Sequence, residues 1–354
     1  MSARNHLLLM ILSLTTAVAL VINQPWKGDA HERTRAQIGP LFPELTDERD
    51  FLERIEIQSE AEQVSLVRGE QDWMVEERFG FSADARRLAT LLDGIVALKT
   101  RDIVAERKES HPLYGVADGQ GTLVRMLGPG NRLVAEIVCG KIRGQNVQNL
   151  RNASLAFYLR RADAEEVFLS TSFFPPSSDP ASWVSGRLFE DLDGAAIDRL
   201  ARTSDSPDAT WELVKIAKDD DAVADDELAP EAAEWSFKSP ADRGQVDSAK
   251  ASAIAWTLSA LSIKDVLGAC DPEIGPGSSF GFPAGTFIAS AGEDSVELRW
   301  GEFIEDKAVH PLWIPGEPWV YAMPEFDVDR VLVSIGDLLP PPSEAEEDEN
   351  PTEE

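Results

Sequence analysis

The stretch "DARRLATLLDGIVALKTRD", Asp84 to Asp102, returns as "DSAKASAIAWTLSALSIKD", Asp247 to Asp265, at a constant shift of 163 positions. Leu91 aligns with Ile254, Ile95 with Leu258 and Leu98 with Leu261. Apolar residues at this spacing form one stripe of an amphipathic helix. A helix that recurs with the same punctuation implies that the module around it recurs, and this constrains the fold more than any other feature of the chain.

The flanking sequence extends the correspondence. Upstream, "RIEIQ" and "VSLVRG" close on Trp73 in the first copy, and "TWELVKI" and "EWSFK" with Trp235 stand in the second. Downstream, Tyr114-Gly115-Val116 aligns with Phe280-Gly281-Phe282, "LAFYLR" with "PWVYAM" (Tyr158 over Tyr321), and "VFLS" with "VLVS". Alternating apolar and polar residues in these blocks predict half-buried antiparallel strands. The expected fold is therefore α+β: two tandem repeats, 47–180 and 190–340, each a mainly antiparallel sheet with one amphipathic helix. The Pro- and Ser-containing "TSFFPPSSDPASW" connects them. The acidic run "KDDDAVADDELAPEAAE" reads as an insertion in a hairpin loop, and the tail at 341–354, proline and acid without apolar periodicity, as disordered.

Residues 1–26 carry Arg4, an uncharged apolar run from Leu7 to Ile22, then Trp26. As a helix this run spans about 24 Å, somewhat short of the roughly 30 Å hydrocarbon core of a bilayer. An uncleaved membrane anchor is preferred over a signal peptide cut after Ala17-Val18-Ala19, because Leu20-Val21-Ile22 continues the run; a buried core helix ranks third. Lys27, Arg33 and Arg35 outnumber Arg4, which by the positive-inside count favours a cytoplasmic body. A short basic tail before an apolar segment is nonetheless how secretory signals begin, and long domains translocate largely regardless of charge. The expectation is a single-pass inner-membrane protein with its bulk in the periplasm.

A net charge of −30 excludes a nucleic-acid partner, for which a phosphate-neutralising basic face is needed. With two cysteines, Cys139 and Cys270, there is neither a disulfide framework nor a CxxC motif; two buried thiols are favoured over one disulfide. His6, His31, His111 and His310 lack metal-ligand spacing, the acidic run from Asp219 to Glu227 lacks the glycine and final glutamate of a calcium loop, and Gly140-Lys141 belongs to no phosphate-binding loop. "GPGSSFGF" is not a nucleophile elbow. Asn152 begins a glycosylation sequon that matters only in a glycosylating host. No motif points to a catalytic residue, metal or cofactor, and the chain reads as a non-enzyme. Asp84 and Asp247 are expected to cap the repeated helices, and Asp102 and Asp265 to be turn residues opening the next strand. The repeated aromatics Trp73, Tyr114, Tyr158, Trp235, Phe280 and Tyr321 are the candidate binding residues, as stacking positions for a glycan or lipid, with core packing as their ordinary use.

The apolar N-terminus, then "LFPELTDERDFLERIEI", the tryptophan-closed strands, "ADARRLATLLDGIVALKTRD" and the "YGV" turn resemble, in that order, the bacterial family known as domain of unknown function 4340. The resemblance spans Leu41 to about Ser334 and implies a membrane-anchored extracytoplasmic protein associated with ABC-type transporter components of the gliding-motility type. The partners so implied are the inner membrane and an ABC transporter permease or auxiliary subunit. No catalytic residue comes with the resemblance. "YGV" replaces the expected "YGL"-like turn, and the second copy has "FGF"; if that glycine turn carries a binding role, the second copy has lost it. The leading functional expectation is a non-enzymatic accessory protein of an ABC-type transport system. The alternatives are an envelope glycan- or lipid-binding module and, third, a hydrolase built on Asp84 and Asp247.

Overall fold

The computed structural model describes residues 38–143, 155–216 other than Ser185 and Glu190, and 234–341. The apolar N-terminal segment, the Asn152 sequon, the acidic run at 219–227 and the tail beyond Pro341 lie outside the described residues. In chain order the strands are β1 (Arg54–Gln58), β2 (Gln63–Arg68), β3 (Trp73–Val75), β4 (Phe81–Ser82), β5 (Ile103–Ala105), β6 (Thr122–Gly128), β7 (Arg132–Ile142), β8 (Phe157–Arg161) and β9 (Val167–Ser170). They continue as β10 (Arg199–Thr203), β11 (Trp211–Lys215), β12 (Trp235–Ser239), β13 (Asp265–Ala269), β14 (Gly285–Ala291), β15 (Asp294–Trp300), β16 (Val309–Trp313) and β17 (Trp319–Pro324). The α-helices among the described residues are α1 (Pro43–Glu48), α2 (Ala85–Val96), α3 (His111–Tyr114), α4 (Ser248–Ser259) and α5 (Glu325–Asp329). The fold is α+β, with two mainly antiparallel sheets and few helices. Among the described residues no helix is long and apolar enough to cross a membrane.

The chain divides into two compact units, Met1–Glu62 with Ala89–Pro176, and Gln63–Leu88 with Ser177–Glu354. In the first, six strands run in the order β1-β6-β7-β8-β9-β5. Alternation along β6 buries Val124 and Met126, and Ile55 and Ile57 are buried on β1, the period-2 pattern of a strand with one face in a core. Phe42, Leu45 and Leu52, on and around α1, are also fully buried.

In the second unit eight strands run β12-β11-β10-β14-β15-β16-β17-β13. Its core gathers Trp211, Trp235, Phe287, Trp300 and Leu312 with Ile254 and Leu258 of α4. The segment 63–88 is tied into the same unit. Phe81 sets its ring edge-on to Trp319 at 5.1 Å and Tyr321 at 5.9 Å, Arg78 pairs with Asp265, and Ala83 bridges Val184.

The two sheets share one wiring. The order β1-β6-β7-β8-β9-β5 is repeated by β10-β14-β15-β16-β17-β13, and in both the strand after the long helix lies at the far edge beside the last-made strand. The helices also begin alike. Asp84 Oδ1 accepts from the N–H groups of Arg86 and Arg87 at 2.9 and 3.0 Å, and Asp247 Oδ1 from Ala249 and Lys250 at 3.1 and 3.2 Å. Each carboxylate thus satisfies two donors that a helix start leaves orphaned. Asp265 opens β13, and Asp102, with φ of 58°, immediately precedes β5.

Three sequence expectations change. The helix α2 is amphipathic, burying Leu88, Leu91, Leu92 and Ile95 opposite Arg86, Arg87 and Asp93. The outward face of α4, by contrast, carries Ala249, Ala253 and Trp256 beside Lys250, and its buried face includes Thr257 and Ser259, so the contrast between its faces is weak. The strand β10, "RLART", is an addition to the strands that composition predicts. Conversely "VLVS" at 331–334 is no strand: Val331 is buried beyond α5, and the Val333 carbonyl accepts from Arg202 Nη1 at 2.7 Å and Trp211 Nε1 at 2.9 Å. Side chains replace the ladder there.

Candidate functional site

The helix α3 ends on Gly115 with φ of 70°, a left-handed cap that glycine adopts without a Cβ clash. The turn lies directly on β7. A Cβ at Gly140 would stand 2.4 Å from the Tyr114 carbonyl oxygen, and one at Gly121, itself at φ of 71°, would stand 2.3 Å from the Cys139 carbonyl oxygen. Both distances forbid any side chain.

The second repeat uses the same device. Gly281 has φ of 68°, and a Cβ at Gly301 would lie 2.3 Å from the Phe280 carbonyl oxygen. Tyr114-Gly115 over Gly140-Lys141 therefore corresponds to Phe280-Gly281 over Gly301-Glu302. With that anchor, the pairs Cys139–Leu159 and Trp300–Leu312 coincide. Buried Arg160 then answers to buried Trp313, and Tyr321, opposite Leu312, answers to Phe168 rather than to Tyr158.

The two turns lead into their strands differently. In the first repeat, Ala117 to Gly121 intervene before β6 begins at Thr122; in the second, β14 begins at Gly285. Those extra residues form one wall of a cleft of about 530 Å³ in the first unit, whose floor includes Leu123, Arg125, Glu136, Val138 and Arg160. The β1–β2 turn supplies Gln58, Ser59 and Glu60 on the other side.

Arg160 holds the wall in place. Its side chain is 3% exposed. Nε donates to the Val116 carbonyl at 2.6 Å, Nη1 to the Arg161 and Ala162 carbonyls at 3.0 and 2.9 Å, and Nη2 to Asp118 at 2.7 Å. A buried guanidinium requires such saturation. Lys108, 3.6 Å away, and then Arg160 hold the Asp118 carboxyl below the usual carboxylate range. Beside it, Arg125 Nε donates to Glu136 Oε1 across the strands at 2.6 Å, with Glu56 at 3.9 Å on the other flank. The cations of the floor are thus matched by anions of the same unit.

None of the six aromatic residues predicted for binding lines this cleft. Tyr114 and Tyr158 come together, ring centres 4.7 Å apart, with the Tyr114 hydroxyl donating to the Val104 carbonyl at 3.3 Å. Trp235 is buried in the second unit's core, its Nε1 donating to Ser252 at 3.1 Å. Tyr321 is buried in the same core, which pushes its phenol up. Trp73 is half-buried at the start of β3, and Phe280 is partly exposed. His111 is buried with Nε2 2.8 Å from the Glu165 carbonyl. Cys139 is buried and Cys270 half-buried, both as free thiols. Among the described residues, no three His, Cys, Asp or Glu side chains are grouped to hold a metal ion.

The cleft residues left a faint mark in the sequence. "ADGQG" after "YGV" places glycines two apart, and Arg160 ends the apolar run "LAFYL". Neither signal says that the two segments meet.

No curated protein and no solved structure matches the chain. Residues 73–276, more than half of its length, match the family described as Domain of unknown function (DUF4340), and the chain belongs to that family.

Proposed function

We propose that this protein is a non-enzymatic, membrane-anchored accessory protein of an ABC-type transport system, with its folded body outside the cytoplasm. The observation that carries the reading is the uncharged apolar run from Leu7 to Ile22 ahead of a repeated sheet-and-helix body. An anchor of this kind keeps a folded body at the membrane surface, where a transport complex is reached by lateral diffusion. The repeat supports it by supplying two broad sheets. The two carboxylates that a hydrolase would draw on, Asp84 and Asp247, are engaged by helix N–H groups.

Affinity capture of the tagged full-length protein from its own solubilised membranes tests the reading. Transporter subunits are expected in the eluate, and their absence would overturn it. Protease treatment of spheroplasts is expected to digest the body while leaving the N-terminus intact; protection until lysis would place the body in the cytoplasm and end this reading.

A second reading, an envelope ligand-binding module, is favoured by the cleft in the first unit. It differs from the glycan- or lipid-stacking surface expected from the sequence, since the cleft lining contains no aromatic side chain.

A further inference from the structure

The cleft in the first unit holds two kinds of polar group. Those of the floor are mutually neutralised: Arg160 with Asp118 and three carbonyls, Arg125 with Glu136. The other kind is Gln58, Glu60 and Gln120, which come from the β1–β2 turn and from the loop before β6. None of these three side chains has a hydrogen bond or ion pair to another described residue. Two carboxamides, each donor and acceptor, and one carboxylate therefore face a space of about 530 Å³, within the roughly 300–1,000 Å³ of small-molecule sites. Leu123 and Val138 give the floor an apolar patch between them and the ion pairs.

This set selects its ligand by chemistry. An anion would meet Glu60 and Asp118 with no uncompensated cation to receive it. A sugar ring would find no aromatic face in the lining on which to stack. A cation carrying amide groups fits each part: the ammonium meets the carboxylate, and the carboxamides match a C=O and N–H pair.

We propose that this cleft binds the amino-terminal end of a short peptide. Glu60 receives the terminal ammonium, Gln58 and Gln120 pair with the first peptide groups, and a small apolar side chain rests on Leu123 and Val138. The inference is independent of the transport reading, because it concerns a ligand of the first unit alone.

Isothermal titration of the full-length protein in detergent tests it, with Ala-Ala-Ala, its N-acetylated form and glucosamine as the probes. Ala-Ala-Ala is expected to bind one per chain. Acetylation, which removes the charge, is expected to weaken binding at least about tenfold, as a lost charge-assisted hydrogen bond does. Glu60→Gln is expected to weaken it by a similar factor, whereas Glu62→Gln in the same turn, outside the lining, leaves it unchanged. Unchanged thermal unfolding of Glu60→Gln shows that its loss is local. No heat at about 10 mM peptide, equal binding of the acetylated form, retention of affinity by Glu60→Gln, or binding of glucosamine alone would each overturn the proposal.

Discussion

Arg160 and Asp118 are joined by a 2.7 Å hydrogen bond whose two ends differ in environment: the Arg160 side chain is 3% exposed and that of Asp118 is 74% exposed. The arginine is a structural clamp and the aspartate its solvent-side counterion. Arg160→Met leaves the carbonyls of Val116, Arg161 and Ala162 without their donor, and is expected to cost about 3 kcal/mol, read from urea unfolding. Asp118→Asn keeps those three bonds and is expected to cost much less. Equal losses for the two variants would contradict the asymmetry.

The same pair predicts a pH dependence. The Asp118 carboxyl is held below its ordinary 3.8 in the folded protein, first by Lys108 and then by Arg160. Its contribution is therefore complete above that ordinary value and is lost as pH falls through the lower folded one. Asp163, bonded to Arg161, and Asp337, bonded to Ser334, are depressed too, so the informative quantity is wild type minus variant. The gap in melting temperature between wild type and Asp118→Asn is expected to be widest above 3.8 and to narrow as the pH is taken below it.

The docked turns predict a contrast among glycines. Gly140→Ala and Gly301→Ala drive a methyl into the carbonyls of Tyr114 and Phe280, and each is expected to cost about 2 kcal/mol or more. Gly119 has φ of 75° with nothing within 4 Å of its Cβ position, so Gly119→Ala meets only the left-handed backbone penalty of about 1 kcal/mol. Chemical denaturation of the three variants checks the order.

The helix caps predict matched losses. Asp84→Ala and Asp247→Ala each remove two accepted N–H bonds and are expected to cost about 1 kcal/mol apiece, while the asparagine variants retain most of the stability. An improvement with alanine at either position would refute the capping role.

Thiol chemistry separates the cysteines. Burial pushes Cys139 up to about 12, so the native protein is expected to leave it unmodified by a thiolate-selective reagent near neutral pH. The thiol of Cys270 is half-buried and is raised by burial and by Asp271, so it reacts first but slowly. One slowly modified and one protected thiol in the native protein, both reactive in denaturant, is the expected mass-spectrometric pattern.

The features legible in the sequence are those set by local physics. The two long helices are legible because an aspartate stands before each run and the apolar spacing is helical. The Tyr114–Gly115 and Phe280–Gly281 turns are legible because glycine comes after an aromatic in both. The strand β10 is hidden: "RLART" has no strong strand composition, and its place comes from pairing with β11 and β14. "VLVS" misleads for the opposite reason, a strand-like composition at a point where β17 already pairs with β13. Tyr158 and Tyr321 align on chemical identity, whereas register obeys the glycine contacts. The cleft depends on Arg160 reaching back to a loop 42 residues earlier in the chain, and no local pattern encodes such a return.

The wiring also sets an order of events in the making of the chain. The strand β5 pairs with β9 and β13 with β17, so each waits at the sheet edge for the last strand of its repeat. A ribosome or translocon releasing the chain from its N-terminus therefore presents β5 long before its partner exists. Neither sheet is complete until its final strand emerges, so a nascent chain halted before Val167 or Trp319 leaves β8 or β16 without its last partner, an open edge for a chaperone to guard.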